Sequence, residues 1–195
     1  MNPHLVLAST SPYRKKLMEQ LHIPFVTAKP LADEEKLKLA SQVSLTDLPL
    51  FLAQKKAESL IAQYPQHVII GSDQMGVLAG EPLNKPGTKD KAIEQLLKME
   101  SKTHTLITAM SVYDRGQWYH HVDTTHLHMK PLSREQIVRY VDLDNPVDCA
   151  GSYKMESLGV ALFKKIETQD HTAIVGLPLM GLVAILDRIK KGPLL

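Results

Sequence analysis

The run Val68-Ile69-Ile70-Gly71-Ser72-Asp73 constrains this chain most. Consecutive β-branched apolar residues without polar alternation suit a strand that is covered on both faces, as in sheets flanked by helices. Met75-Gly76-Val77-Leu78 extends the strand towards a turn at Ala79-Gly80. A similar run, His4-Leu5-Val6-Leu7-Ala8, opens the chain and ends in Ser9-Thr10-Ser11-Pro12, after which Leu17, Met18 and Leu21 recur at helical spacing. This pattern predicts strand, turn and helix, with Ser11 as N-cap and Pro12 at the first helical position, where its missing N–H costs nothing. Pro24-Phe25-Val26-Thr27 reads as a second strand, and residues 28–44 as a polar connection or short helix. From Thr46 or Asp47, the series Leu48, Leu52, Ala53, Ala57, Leu60 and Ile61 predicts an amphipathic helix closed by Tyr64-Pro65. Thr88 caps a further helix carrying Ile93, Leu96, Leu97 and Met99. Thr103 to Tyr113 and Gln117 to Met129 form a hairpin about Asp114-Arg115-Gly116, Ser133 caps a helix to about Asp144, and Gly176 to Lys190 is a last amphipathic helix. Strands interleaved with helices, plus one hairpin, define an α/β class with a mixed sheet.

Composition narrows the function classes. A chain of 195 residues, 44% hydrophobic, suffices for a sizeable core and is expected to form one domain over 1–195. Lys+Arg of 23 against Asp+Glu of 21 gives +2, which argues against a protein that coats long nucleic acid by neutralising phosphates. Any anionic ligand must be met locally. The single Cys149 cannot form an internal disulfide and reads as a small buried side chain, so a reducing, cytoplasmic setting is expected. The apolar runs fall short of the roughly 18 residues a membrane helix needs, and no signal-peptide pattern opens the chain. No membrane association is expected.

Several groups of residues could carry chemistry. Ser9 to Lys16 bring hydroxyls, helix N-terminal N–H groups and an Arg/Lys cluster to one strand-to-helix turn, where backbone donors and the helix dipole favour phosphate and Arg14 can chelate two oxygens. Taken alone, that turn is equally an ordinary capped helix. Asp73 lies at a strand end, where α/β proteins build their sites, and could hold a divalent cation or take a proton from water. Gly71 would let another backbone approach closely. Lys85 sits in the rigid turn Asn84-Lys85-Pro86-Gly87, and Lys55-Lys56 lie on the preceding helix, where each alone reads as solvated surface. Asp33-Glu34 add oxygen donors of the type Mg²⁺ or Mn²⁺ prefers. His126 and His128 share a strand face but read as exposed, and His171 has no signature of its own.

Leu7-Ala8-Ser9-x-Ser11-Pro12, Gly71-Ser72-Asp73, Asn84-Lys85-Pro86, Cys149-Ala150-Gly151-Ser152-Tyr153 and Val175-Gly176-Leu177-Pro178-Leu179, in that order, resemble the Maf family of nucleotide pyrophosphatases nearly end to end. The resemblance implies an elongated mixed sheet flanked by helices, of the inosine-triphosphatase type, with a cleft between two lobes and often a homodimer. It also implies cleavage of a small-molecule nucleoside triphosphate between the α and β phosphates, assisted by Mg²⁺, Mn²⁺ or Co²⁺. Carried over residue by residue, Ser9, Arg14, Glu34, Lys56, Asp73 and Lys85 match family active-site positions, with Asp73 as the proton acceptor. Glu34 would help to hold the metal, and the sequence does not choose between Glu34 and Asp73 as the direct ligand.

Three positions depart from the branch that acts on dTTP and UTP, which has a second arginine, a threonine and a glutamine where this chain has Tyr13, Gln74 and Glu156. These residues, and the Lys-Gly-Pro-Leu-Leu tail, look like the 7-methyl-GTP pyrophosphatase branch. The methylated guanine is cationic and can stack on an aromatic ring, and a glutamate can accept from its N–H edge. Three alternatives stand beside this reading: a dTTP/UTP pyrophosphatase of the same family, a non-catalytic regulator of septum formation, and an RNA-cap-binding module, against which count the near-neutral charge and the lack of an aromatic stacking platform beyond Tyr13.

Overall fold

The apolar run near the start forms β1 (Leu5–Ala8), and its four residues are all buried. Helix α1 (Pro12–Glu19) follows, with Ser11 as N-cap accepting from the Arg14 amide and Pro12 in the first turn, as the sequence predicts. After β2 (Phe25–Ala28), the polar connection contains a short helix, α2 (Glu34–Ala40), capped by Asp33 and without a buried residue. Helix α3 (Leu48–Glu58) leads to β3 (Val68–Leu78), one continuous strand through Asp73. The remaining elements are β4 (Glu81–Leu83), α4 (Lys89–Met99), β5 (Thr103–Asp114), β6 (Gln117–Met129), α5 (Arg134–Asp144), β7 (Phe163–Glu167) and α6 (Leu179–Arg188). The computed structural model describes residues 4–195.

The seven strands run in the order β2-β1-β3-β5-β6-β7, with β4 paired to β3. The sheet is mixed, as expected: β1 pairs parallel with β2 and β3, whereas β3 with β4 and β6 with β7 pair antiparallel. The turn between β5 and β6 uses Arg115 and Gly116, both with positive φ, the geometry that matches hairpin twist.

The chain divides into two compact units. The first comprises the described residues up to Gln74, Thr108–Asp123 and Asp170–Leu195. Its sheet is covered on both faces, because successive strand side chains point to opposite sides. Leu5, Leu7, Val68 and Ile70 pack with Leu17, Met18, Leu182 and Leu186, while Val6, Ala8 and Ile69 pack with Ala57 and Leu60. The double coverage expected from the apolar runs is therefore present. The second unit comprises Met75–Ile107 and Thr124–Gln169. There Leu96, Met99, Ile137 and Val141 are fully buried, and Ser133 and Gln136 form a reciprocal capping box at the start of α5.

Four expectations need correction. Asp73 does not end its strand, because residues 75–78 continue β3, whose end pairs with β4, so the carboxylate stands mid-strand. The last helix begins at Leu179, not Gly176, because Gly176 adopts φ 113° and its caps come from upstream: Thr172 Oγ1 accepts from the Leu179 amide and Asp170 Oδ2 from the Met180 amide. Strands β4 and β7 are additional to the predicted elements, and β7 gains its partners only from pairing with β6. Cys149 is half-buried rather than fully buried, though burial still raises its thiol pKa to about 12. No described helix is long and apolar enough to cross a membrane.

Candidate active site

The first unit gathers Ser9, Arg14, Glu34, Lys56, Asp73 and Gln74, delivered by the turn after β1, by α1, α2 and α3, and by β3 for the last two. The path between α3 and β3 is decided at Gly71. A Cβ there would land on the Ala53 carbonyl oxygen and lie 3.0 Å from the Ala57 nitrogen, so only glycine lets the helix backbone lie against the strand. That close approach carries Lys56 inward. Its side chain is 7% exposed, with Nζ donating to Asp73 Oδ1 at 2.6 Å and lying 3.2 Å from Glu34 Oε2. The surface reading of Lys56 is thus overturned, while Lys55 stays outside, paired with Glu58 at 2.7 Å. Lys56 follows the periodicity of Leu52, Ala53, Ala57 and Leu60, and this was the signal that it faces inward. A buried ammonium requires such compensation, since an unpaired charge in this position would be strongly destabilising.

The turn after β1 is built around two hydroxyls. Ser9, which is buried, accepts at Oγ from the Ser11 amide at 3.1 Å and from Arg14 Nη1 at 3.5 Å. Arg14 Nε donates to the Gly176 carbonyl at 2.7 Å. Desolvation by burial pulls the guanidinium pKa down, opposed by attraction to Asp73 and Glu34, which places both carboxylates within its electrostatic reach. Tyr13 is half-buried on α1.

Gln74, next to Asp73, donates from Nε2 to Thr108 Oγ1 and the Ala173 carbonyl at 2.9 Å, and to the Ile174 carbonyl at 3.1 Å. Thr108 spends its own proton on the Ala173 carbonyl at 2.9 Å, so all three neighbours are acceptors and the orientation of the amide follows. Ser72, on the other side of Asp73, is fully buried and reaches the Ala109 carbonyl at 2.9 Å and the Gly176 carbonyl at 2.8 Å. The sequence reading gave Ser72 and Gly176 no role of their own. Both lie in quoted motifs, but a contact between residues 104 apart has no local signature.

Lys85 and Glu156 belong to the second unit, where both are exposed. The strand histidines are accounted for there: His126 Nδ1 lies 3.3 Å from Thr105 Oγ1, and His128 bridges Thr103 Oγ1 at 2.9 Å and Glu167 at 3.0 Å.

Among the described residues, no group of three or more His, Cys, Asp or Glu side chains converges as a metal site. What converges is two carboxylates, those of Asp73 and Glu34, on one ammonium. Hard oxygen donors in that number fit Mg²⁺ or Mn²⁺, which commonly take one or two protein carboxylates and complete their shell with water and substrate phosphate. The positive charges of Arg14 and Lys56 and the negative charges of Glu34 and Asp73 cancel locally, so a polyanion would gain from bringing a cation with it.

A buried carboxylate held by lysine lies in the same unit as a serine-rich helix start with an anchored arginine, a set of groups that can receive an anionic ligand, on an α/β fold. Residues 4–189 match the family model for Maf-like proteins, and the chain belongs to that family. It is 50% identical over 186 residues to the 7-methyl-GTP pyrophosphatase of Bdellovibrio bacteriovorus, covering 94% of this chain and 95% of the relative. It is 42% identical to the 7-methyl-GTP pyrophosphatase of Pseudomonas aeruginosa, with the same coverage.

Proposed function

We propose that the chain is a divalent-metal-assisted nucleotide pyrophosphatase that hydrolyses 7-methyl-GTP to 7-methyl-GMP and pyrophosphate, with residues 1–195 acting as one catalytic domain. The observation that carries this reading is Lys56, buried between Asp73 and Glu34 and within the same unit as the Ser9–Arg14 turn. Binding an anion does not by itself require a buried carboxylate. Removing a proton from water requires a base, and Asp73 is the carboxylate that this site holds in place for it.

In this reading Lys56 holds Asp73 Oδ1, and Oδ2 takes the proton from a water that attacks the α-phosphorus. The bond from the α-phosphorus to the bridging oxygen breaks, and pyrophosphate leaves with that oxygen. Arg14, Lys56 and Lys85 stabilise the developing negative charge, and Ser9 donates its hydroxyl proton to a phosphate oxygen. A divalent cation, when bound through Glu34 and Asp73, would supply further charge neutralisation. Tyr13, Gln74 and Glu156 select the base: Tyr13 stacks on the cationic methylguanine, and Glu156 accepts from its N–H edge. Gln74 has its amide nitrogen committed to the 173–174 carbonyls, so its part in selection falls to its carbonyl oxygen. The assignments of Lys85 and Glu156 rest on the sequence motifs alone. The 7-methyl-GTP activity named for the two relatives supports the choice of substrate.

The test is kcat/KM for 7-methyl-GTP, GTP, dTTP and UTP with Mg²⁺, Mn²⁺ or Co²⁺. A preference for 7-methyl-GTP is expected, and a preference for dTTP or UTP would transfer the chain to the other branch. Asp73→Asn should lower kcat by at least ~10³-fold while nucleotide binding largely survives. A cellular phenotype that persists unchanged in that variant would instead favour a non-catalytic regulator of septum formation.

A further inference from the structure

We infer that Ser72 and the Gly176 backbone carbonyl are positioning groups that aim the Arg14 guanidinium at the substrate phosphates. This rests on the reading above, in which Arg14 meets phosphate. The Gly176 carbonyl accepts from Arg14 Nε at 2.7 Å and from Ser72 Oγ at 2.8 Å, so one oxygen joins the two side chains. Arginine reaches its ligands through several freely rotating bonds, but its guanidinium is planar. Fixing Nε and Nη1 therefore fixes the direction of the whole fork, and here the second anchor is Ser9 Oγ.

The carbonyl must itself be held in place, and three features do this. Ser72 Oγ shares its single proton between the carbonyls of Ala109 and Gly176, tying the 173–176 segment to strands β3 and β5. Gln74 Nε2 holds the same segment through the Ala173 and Ile174 carbonyls. Gly176 has φ 113°, a conformation that directs its carbonyl towards Arg14, and a Cβ there would lie 3.3 Å from Arg14 Nε. Ser72 is wholly inaccessible, so it cannot touch a substrate, and its influence on turnover must pass through what it holds. It is a positioning residue, not a catalytic one.

The experiment is a double-mutant cycle. Ser72→Ala removes the hydroxyl without adding bulk, and kcat/KM should fall about tenfold, the factor that about 1.4 kcal/mol makes in a rate. In an Arg14→Lys background, which keeps a positive charge but lacks Nε and the fork, Ser72→Ala should cost less than twofold. Binding of inorganic pyrophosphate with Mg²⁺, measured by calorimetry, supplies the same cycle without turnover, and the melting temperature of each protein reports folding. Gly176→Ala approaches Arg14 from the opposite side, and its penalty should likewise shrink in the Arg14→Lys background. Equal Ser72→Ala penalties in both backgrounds would overturn the inference and leave Ser72 a structural residue. If Arg14→Lys alone changed neither turnover nor pyrophosphate binding, the role of Arg14 in the proposed function would be the part that fails.

Discussion

Replacing Lys56 with methionine keeps the length of the side chain and removes the buried cation, which makes the consequence calculable from its surroundings. Lys56 is 7% exposed, and its partners differ: the Asp73 side chain is 11% exposed, whereas that of Glu34 is 42% exposed. Glu34 can recover most of its hydration when the lysine is lost, so it adds little to the cost. Asp73 cannot, and breaking a buried pair by removing one member costs about 3–5 kcal/mol because a charge is left uncompensated. Taking the lower end, Lys56→Met should destabilise the protein by about 3 kcal/mol, or about 6–12 °C in melting temperature for a chain of this size. Adding Asp73→Asn removes the stranded charge, so the double variant should be more stable than Lys56→Met alone. It should still lack activity, since neither the base nor the lysine is present. Thermal melts and urea titrations of the wild type, both single variants and the double variant provide the measurement. A shift below 2 °C for Lys56→Met, or a double variant that shows the sum of the single losses, would refute the reasoning that this ion pair acts as a buried, mutually dependent unit.

Gly71→Ala would force α3 away from β3, because its Cβ meets the Ala53 carbonyl; a loss of at least ~2 kcal/mol in urea titrations, together with reduced kcat, is expected. His104 is buried with Nε2 3.0 Å from the Tyr153 hydroxyl, and burial, assisted by the neighbouring His128, lowers its pKa to about 4. The unfolded chain therefore binds more protons than the folded one as pH falls from 6.5 towards 4, and stability declines in that window. Relative to His104→Gln, the wild type should lose about 2 kcal/mol between pH 7 and pH 5, as read by the shift of urea midpoints. Ser133→Ala removes the N-cap of α5 and should cost about 1 kcal/mol in thermal stability, with kcat/KM unchanged.

Much of the fold is written locally. The runs at Leu5–Ala8 and Val68–Ile70 need cover on both faces, and the structure provides it. Ser11, Thr88 and Ser133 cap the helices that they were expected to cap, because each cap needs only its own side chain and an amide three residues on. Gly71 as a point of close approach was legible because a glycine after a buried apolar run marks a place where another backbone can come near, and Ser9 with Arg14 at a helix start because the turn and helix are contiguous in sequence; Asp73, expected at a strand end, instead lies within β3. Lys56 was half legible: it shares the helical period of the buried residues around it, but its identity argued for solvent.

What the sequence by itself determined, then, is most of the elements, the caps of α1, α4 and α5, and the polar groups gathered at the start of α1. Tertiary structure decided which of those groups meet one another. Asp73 and Glu34 make Lys56 tolerable in the interior, and the Gly176 carbonyl reaches Arg14 across 162 residues of chain. Such contacts leave no periodic trace, since a backbone carbonyl carries no residue identity and a buried charge is stabilised only by partners that the completed fold delivers.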